Sequence, residues 1–286
     1  MIPLVLVLTA VLLAWPAPRV LAGIPALRRT PRAALFAYQA STVSAIVAMA
    51  AAAPAILPLV LFDGQAVWQH FVIIVIAAGF SALMLVRFLV AGHRTGRRVR
   101  LLRARHRELV DIIARQEPGS RNLRILDHPV PTAYCLPGYH ARVVVSRAVI
   151  EALDDTELAA VLAHERSHLR SRHDLLVEFL SVIHETVPGP MRCQAAMGEV
   201  RLLVEALADR TAAREVGVEP MSRALGALAG GRVPEAAFAV SGPTTAPLRV
   251  ELLHEPPPSR ALGLSLYASG AAVLATPLAL LGVAFL

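Results

Sequence analysis

Lysine is absent from this chain of 286 residues, and its 28 basic residues are all arginine. Charged residues make up 17% and aromatic residues 5% of the sequence, whereas 56% of the residues are hydrophobic. A composition this apolar excludes an ordinary soluble enzyme of the same length. The arginines are not interleaved with base-stacking aromatic side chains, so no direct nucleic-acid binding is expected despite a net charge of +7.

Cysteine is scarce as well. The two cysteines, Cys135 and Cys193, do not form a CxxC pair, which argues against a zinc ribbon and against a disulfide framework. We expect both to be small buried side chains.

Long hydrophobic runs are abundant. A membrane-spanning helix needs ~20 apolar residues, and four segments reach that length, at about 2–21, 33–62, 68–91 and 261–286. The first lacks a basic start and is interpreted as a retained span. Pro54 and Pro58 are expected to kink or end the second. We therefore predict a three-helix membrane domain at 1–92, a separate domain at 93–258 and a fourth span at 261–286.

Arginine placement predicts the orientation of these spans. Eleven arginines lie between the first two spans or directly after the third, and basic loops stay in the cytoplasm. The connection around Asp63 and Gly64 has no arginine and belongs outside. Both termini are therefore predicted outside, with the 93–258 domain in the cytoplasm and the arginine cluster against anionic lipid.

The 93–258 domain has the pattern of an α-rich α+β fold. A basic helix is predicted at 99–116, strands at 122–126 and 142–146, and a loop or tight hairpin between the strands. The second strand, RVVVS, fits either a core strand or the edge of a substrate cleft. Asp154 and Glu157 form a capping box that starts a long helix. The segment 229–258 is interpreted as a loop or hinge.

The capped helix carries the motif HERSH. Its two histidines, His164 and His168, are four residues apart, so both imidazoles lie on one helical face and can bind a single Zn²⁺. Glu165 is placed to take a proton from a water that the metal activates, as the general base of a metallopeptidase. A metal also compensates for polar groups in an apolar run, which would otherwise be costly to bury.

A catalytic zinc needs a third protein ligand and an open position. Glu205, in the apolar stretch LLVEALAD, is the favoured candidate, with Asp209 one turn later as a hydrogen-bond partner of a ligand histidine. Asp174 is the alternative, although the sequence after HERSH is expected to continue the same helix and carry Asp174 away from the metal. His173 is a candidate for the cleft wall, for pairing with an acidic side chain, or for an exposed position.

The segments TAYCLPG, RVVVSRAVIEALDDTELAAVLAHERSHLRSRHDLL and EALAD, in this order, resemble the membrane-embedded gluzincin peptidases. They are most similar to the BlaR/MecR-type antirepressor peptidases, with the HtpX-type and CAAX-prenyl-protease families related. The resemblance implies a zincin-like domain in which His164, His168 and Glu205 bind zinc, Glu165 is the base and Asp209 supports the site. Because the sequence ends at Leu286, we expect it to lack the extracellular penicillin-binding sensor domain of those proteins.

The resemblance implies a zinc endopeptidase of the bacterial cytoplasmic membrane whose partner is a cytoplasmic BlaI-type transcriptional repressor. Its cleavage would transmit a stress or antibiotic signal. Two alternatives stay open. One is an HtpX-type quality-control protease that degrades membrane proteins. The other is a non-proteolytic membrane signal transducer with a structural zinc, against which the Glu165 position argues.

Overall fold

The structure, a computed structural model, describes residues 1–58, 71–229, 245–256 and 260–286. The helices are α1 (Ile2–Ala14), α2 (Pro16–Ala22), α3 (Pro31–Ala52), α4 (Phe71–Ile113), α5 (Arg147–Ala152), α6 (Asp155–Arg170), α7 (His173–Thr186), α8 (Gln194–Val216), α9 (Val218–Leu228), α10 (Ala246–His254) and α11 (Arg260–Ala284). The strands are β1 (Arg115–Gln116), β2 (Leu123–Leu126), β3 (Ala133–Leu136) and β4 (Arg142–Ser146). Short 3₁₀ turns cover Pro25–Arg29, Pro54–Ile56 and Gly189–Met191.

The chain divides into two compact units. The first contains Met1–Arg94, Leu180–Met197 and Pro258–Leu286, and the second contains Thr95–Phe179 and Gly198–Pro257. Leu180–Met197 thus groups with the apolar helices, although the sequence analysis places it in the 93–258 domain.

Among the described residues, four helical segments are long and apolar enough to cross a membrane. They are Ile2–Ala22, Pro31–Ala52, Phe71–Ile113 and Arg260–Ala284. In the first unit α3 packs against both α1 and α11. Its alanine-rich surface allows this close packing, because small side chains let apolar helices approach each other.

Serine hydroxyls and one glycine hold the apolar helices together. Ser44 donates a hydrogen bond to the Val273 carbonyl on α11, and Ser81 donates one to the Met49 carbonyl, both at 2.7 Å. Gly270 leaves room for the Phe36 ring, since a Cβ at this position would lie 2.6 Å from a ring carbon. Contacts of this kind hold apolar helices together where the hydrophobic driving force is weak, as it is in lipid.

The helix bounds differ from the expected spans at the prolines and at the arginine cluster. The first span is interrupted at Trp15 before Pro16, and α3 ends at Ala52 before Pro54. Residues 59–62 and 68–70 of the predicted spans lie outside the described residues. α4 runs without a break to Ile113, so the basic helix predicted at 99–116 is present as the continuation of the third apolar helix, although it ends before β1 at Arg115–Gln116. Arginine is a good helix former, and the end of the apolar run therefore does not end the helix.

The second unit is built on a mixed four-stranded sheet in the order β1-β2-β4-β3. β2 pairs with β4 in parallel, and the other two pairings are antiparallel. β4 carries three successive valines because both of its faces are covered. Val143 and Val145 pack in one apolar cluster with Val161 of α6, and Val144 packs in another with Val110 of α4.

The sequence left two alternatives open for each of two segments of this sheet, and the structure decides between them. RVVVS is not an edge strand, because β4 is paired on both sides. The segment between the predicted strands is the hairpin alternative and not only a loop: Ala133–Leu136 forms β3, which is antiparallel to β4 and in the described chain pairs with β4 alone. Prolines on both sides of AYCL, and a glycine after it, obscured a short strand that is buried by tertiary packing.

The segment 229–258 also contains more structure than expected. Residues 230–244 and 257–259 lie outside the described residues, but Ala246–His254 is helix α10. Its buried Arg249 and Leu252 show that tertiary contacts stabilise this short helix.

Candidate metal centre

Helix α6 positions the HERSH motif. Asp154 accepts a hydrogen bond from the Glu157 backbone N–H at 2.8 Å, and the Glu157 side chain accepts one from the Asp154 N–H at 3.1 Å. This capping box satisfies backbone donors at the start of the helix. His164 and His168 then lie one turn apart, and both are buried.

His164, His168 and Glu205 converge in the interior of the second unit. One potential ligand atom from each residue lies within 4.8 Å of the other two. The Nε2 atoms of the two histidines are 3.0 Å apart, and the Glu205 oxygens lie 3.4 Å and 3.5 Å from them. Ligands ~2.0–2.1 Å from a tetrahedral zinc lie about 3.3 Å from each other, so this donor set and spacing fit a zinc ion.

Arg249, which the sequence analysis missed, joins two acidic side chains behind the three candidate ligands. It donates to both oxygens of Asp209, at 2.8 Å and 2.6 Å, and its Nη1 lies 3.0 Å from Glu205 Oε2. Although burial opposes ionisation of Glu205, Arg249 lowers its pKa below the usual range. Both carboxylates are therefore held in the charged form that a metal site uses.

Asp209 lies directly behind one of the candidate ligands. Its Oδ1 is 2.9 Å from Nδ1 of His164. Burial lowers the pKa of His164, but the carboxylates of Asp209 and Glu205 outweigh it and raise that pKa to about 10. Without a metal His164 therefore carries a proton, which a bound metal ion would have to displace, because a ligand imidazole is neutral.

His173 approaches the second histidine because α6 does not continue past HERSH. The helix ends at Arg170, Arg172 has a φ of 51°, and α7 begins at His173. His173 Nδ1 lies 3.0 Å from His168 Nδ1. Burial lowers the pKa of His168 to about 3, which keeps this imidazole neutral, as a metal ligand must be. His173 is thus placed to orient His168, an arrangement that the expected continuous helix excluded.

Asp174 faces a different partner. Its Oδ2 is 3.1 Å from Nη1 of Arg103 on α4, and it is not one of the three converging residues. The helix does not continue into Asp174, so the continuous helix expected from the sequence is not what keeps Asp174 from the metal centre. Its ion pair with Arg103 instead gives it a structural role between α4 and α7.

Glu165 is buried beside the converging residues. Burial raises its pKa to about 7, and a hydrogen bond with the Cys135 side chain opposes that increase. Its Oε2 has no hydrogen-bond partner among the described residues.

Cys135, on β3, is fully buried as expected, and burial raises the pKa of its thiol. Cys193 is only partly buried.

The two imidazoles, the Glu205 carboxylate and the neighbouring Glu165 are the types of side chain that a zinc metallopeptidase centre uses. Residues 97–224 match the model of peptidase family M48. This match covers the sheet, the HERSH helix and the helix that carries Glu205. Members of that family are metal-dependent peptidases, usually with zinc, and the matched part of this chain includes the three converging residues.

Two curated relatives are similar over a shorter stretch. The plastoglobule-localized metallopeptidase 48 of Arabidopsis thaliana is 39% identical over 64 residues, and the protease HtpX homolog of Aquifex aeolicus (strain VF5) is 43% identical over 63 residues. Each stretch covers 22% of this chain and 19% of the relative, so the chain spans about a fifth of the length of the relatives it matches. No solved structure matches the chain. These similarities support the broader peptidase class, while the BlaR/MecR-type assignment stays a prediction.

Proposed function

We propose that this protein is a zinc-dependent endopeptidase anchored in a membrane. The observation that carries the proposal is the convergence of His164, His168 and Glu205 beside the buried Glu165. The match to peptidase family M48 and the four apolar helices support it.

The residues of the centre have distinct roles in this proposal. His164, His168 and Glu205 would hold the zinc, which supplies a Lewis acid and lowers the pKa of water. Glu165 accepts a proton from the attacking water and passes it to the leaving amine. Asp209 and His173 orient the two imidazoles from behind, and Arg249 fixes Asp209 and Glu205.

The substrate backbone is proposed to pair with β3. This strand has a free edge in the described chain, and the contact between Cys135 and Glu165 places it beside the proposed base. An extended peptide added to such an edge is held by main-chain hydrogen bonds and has its scissile bond presented to the centre. This assignment replaces β4, which lies inside the sheet.

The placement in the membrane is a further part of the proposal. The second unit is proposed to lie in the cytoplasm of a bacterium, with both termini outside, because the arginines flank the spans on that side.

The proposed substrate is a cytoplasmic BlaI-type repressor, whose cleavage would derepress its target genes. Its support is the sequence resemblance to antirepressor peptidases. An HtpX-type quality-control protease is the second candidate, favoured by the similarity to the HtpX homolog. The two differ in selectivity: a repressor peptidase cuts one folded protein at one site, whereas a quality-control protease cuts many unfolded chains.

The test uses full-length protein purified in neutral detergent and loaded with zinc. A BlaI-type repressor and an unfolded protein such as casein are incubated with wild type, Glu165→Gln and Glu151→Gln. Glu151 is exposed on α5 and serves as the matched control. Cleavage by wild type and Glu151→Gln, but not by Glu165→Gln, supports the peptidase. Cleavage by Glu165→Gln at the wild-type rate rejects it, and the substrate that is cut decides between the two candidates.

A further inference from the structure

A cavity of about 450 Å³ lies on the side of α6 away from the metal centre. Its apolar lining comes from β2, β4 and α6, through Leu123, Val143, Leu162 and Leu169. The turn before β2, at Gly119 and Ser120, closes one side. The volume falls in the range of small-molecule sites, ~300–1,000 Å³.

Three arginines stand around this apolar lining: Arg121, Arg166 and Arg170. None of the described residues that line the cavity is acidic. Arg170 pairs with Glu215 at 2.6 Å, whereas Arg121 and Arg166 are exposed. Guanidinium groups gathered at one cavity repel each other, and a carboxylate or phosphate relieves that repulsion through paired hydrogen bonds.

The cavity is distinct from the proposed peptidase site. At about 100° per residue, Arg166 lies about 200° around the helix from His164, so the two point in opposite directions. The cavity and the centre nevertheless share one rigid helix, since Arg166 directly follows Glu165.

We infer that this cavity binds an anionic amphiphile with a single acyl chain. The apolar lining takes part of the chain, and the arginines bind a carboxylate or phosphate head group. A single cavity of this volume fits such a molecule better than an extended polypeptide, which needs a groove or a strand edge. The inference goes beyond the proposed peptidase function and does not depend on it.

The test measures binding, not proteolysis. Full-length protein in neutral maltoside detergent is titrated with the fluorescent fatty acid cis-parinarate. Oleate, oleoyl lysophosphatidate, oleyl alcohol and inorganic phosphate then compete with the probe. We expect saturable binding that oleate or lysophosphatidate displaces, with the stronger competitor identifying the head group. Oleyl alcohol has no charged head group, and inorganic phosphate has no acyl chain. Each should therefore compete at least about tenfold more weakly.

Variants distinguish binding of the probe in the cavity from its partition into the detergent micelle. Arg121→Gln and Arg166→Gln should each weaken binding by about tenfold, the effect of losing a charge-assisted hydrogen bond. Arg201→Gln is the matched control, because Arg201 is exposed on α8 away from the cavity. Glu165→Gln should bind like wild type even if the proposed peptidase function fails.

Equal binding by wild type and both cavity variants overturns the inference, as does equal competition by oleate and oleyl alcohol. Displacement of the probe by an acidic, apolar peptide but not by either lipid anion also overturns it and assigns the cavity to a polypeptide.

Discussion

At the scale of single residues, the buried charges decide how the centre is held together. Glu205, Asp209 and Glu165 are acidic groups within one small volume, and Arg249 is the basic residue that contacts two of them. An uncompensated buried charge is costly, so the arginine is needed most when no cation is bound.

Arg249→Met should therefore destabilise the metal-free protein strongly, by about 3–5 kcal/mol, the cost of breaking a buried ion pair. Saturating zinc should reduce this loss of stability, because the ion supplies positive charge next to Glu205. Thermal unfolding with zinc and with a chelator measures both effects. Arg201→Met, on the exposed side of the same helix as Glu205, should change stability by less than about 0.5 kcal/mol. Equal melting temperatures for the two variants would contradict this account.

Asp209 should act on zinc affinity through His164. Asp209→Asn keeps the shape of the side chain but removes the charge that faces His164 Nδ1, and we expect zinc affinity to fall about 10–100-fold. Competition with a chromophoric chelator measures the affinity directly. Asp155→Asn, exposed on the first turn of α6, is the control and should bind zinc as wild type does. An unchanged affinity in Asp209→Asn would remove Asp209 from the site.

At the scale of elements, the break between α6 and α7 determines which side chains approach the motif. The break depends on Arg172, the only described non-glycine residue with a positive φ. It turns the chain so that His173 lies against His168 and Asp174 lies against Arg103.

The strain at Arg172 predicts opposite effects of two substitutions. Arg172→Gly should leave stability unchanged or raise it slightly, because glycine adopts positive φ freely. Arg172→Val should lower it by about 1–2 kcal/mol, because a β-branched residue is disfavoured there. Thermal unfolding of both variants in the same detergent gives the comparison. If valine is tolerated as well as glycine, the turn does not have the backbone conformation described here.

At the scale of the whole molecule, four apolar helices and an uneven arginine distribution predict how the protein inserts. The arginines flank the predicted cytoplasmic side of the spans, and the membrane potential and translocation both retain basic loops there.

A reporter that is active only outside the cytoplasm should be active when fused after Leu286 and inactive when fused after Arg94. Replacing Arg19, Arg28, Arg29 and Arg32 by glutamine should weaken this asymmetry, since it removes the basic loop that orients the first two spans. Replacing the exposed arginines Arg121, Arg166 and Arg201 instead is the control. A reporter that is active after Arg94 in the unaltered protein would show that the predicted orientation is wrong.

Local patterns predicted a substantial part of the fold. The apolar runs indicated four long helices, the capping box placed the start of α6, and the β-branched run RVVVS became β4. Such features depend on neighbours along the chain, so a sequence contains them directly. The pattern failed where local and tertiary preferences differ, at β3 and at α10.

In the candidate centre, too, some features follow from the local sequence and others from the tertiary structure. His164, Glu165 and His168 follow from spacing on one helix, and Glu205 and Asp209 share a face of another. The sequence by itself determined these two faces, because helical periodicity is a local property. Only the tertiary structure decided that the two helical faces meet and that Arg249 contacts both Glu205 and Asp209. It also decided that Asp174 pairs with Arg103 and that His173 lies behind His168. These contacts join residues far apart in the chain or depend on the backbone turn at Arg172, and burial and charge pairing select them only once the chain is folded.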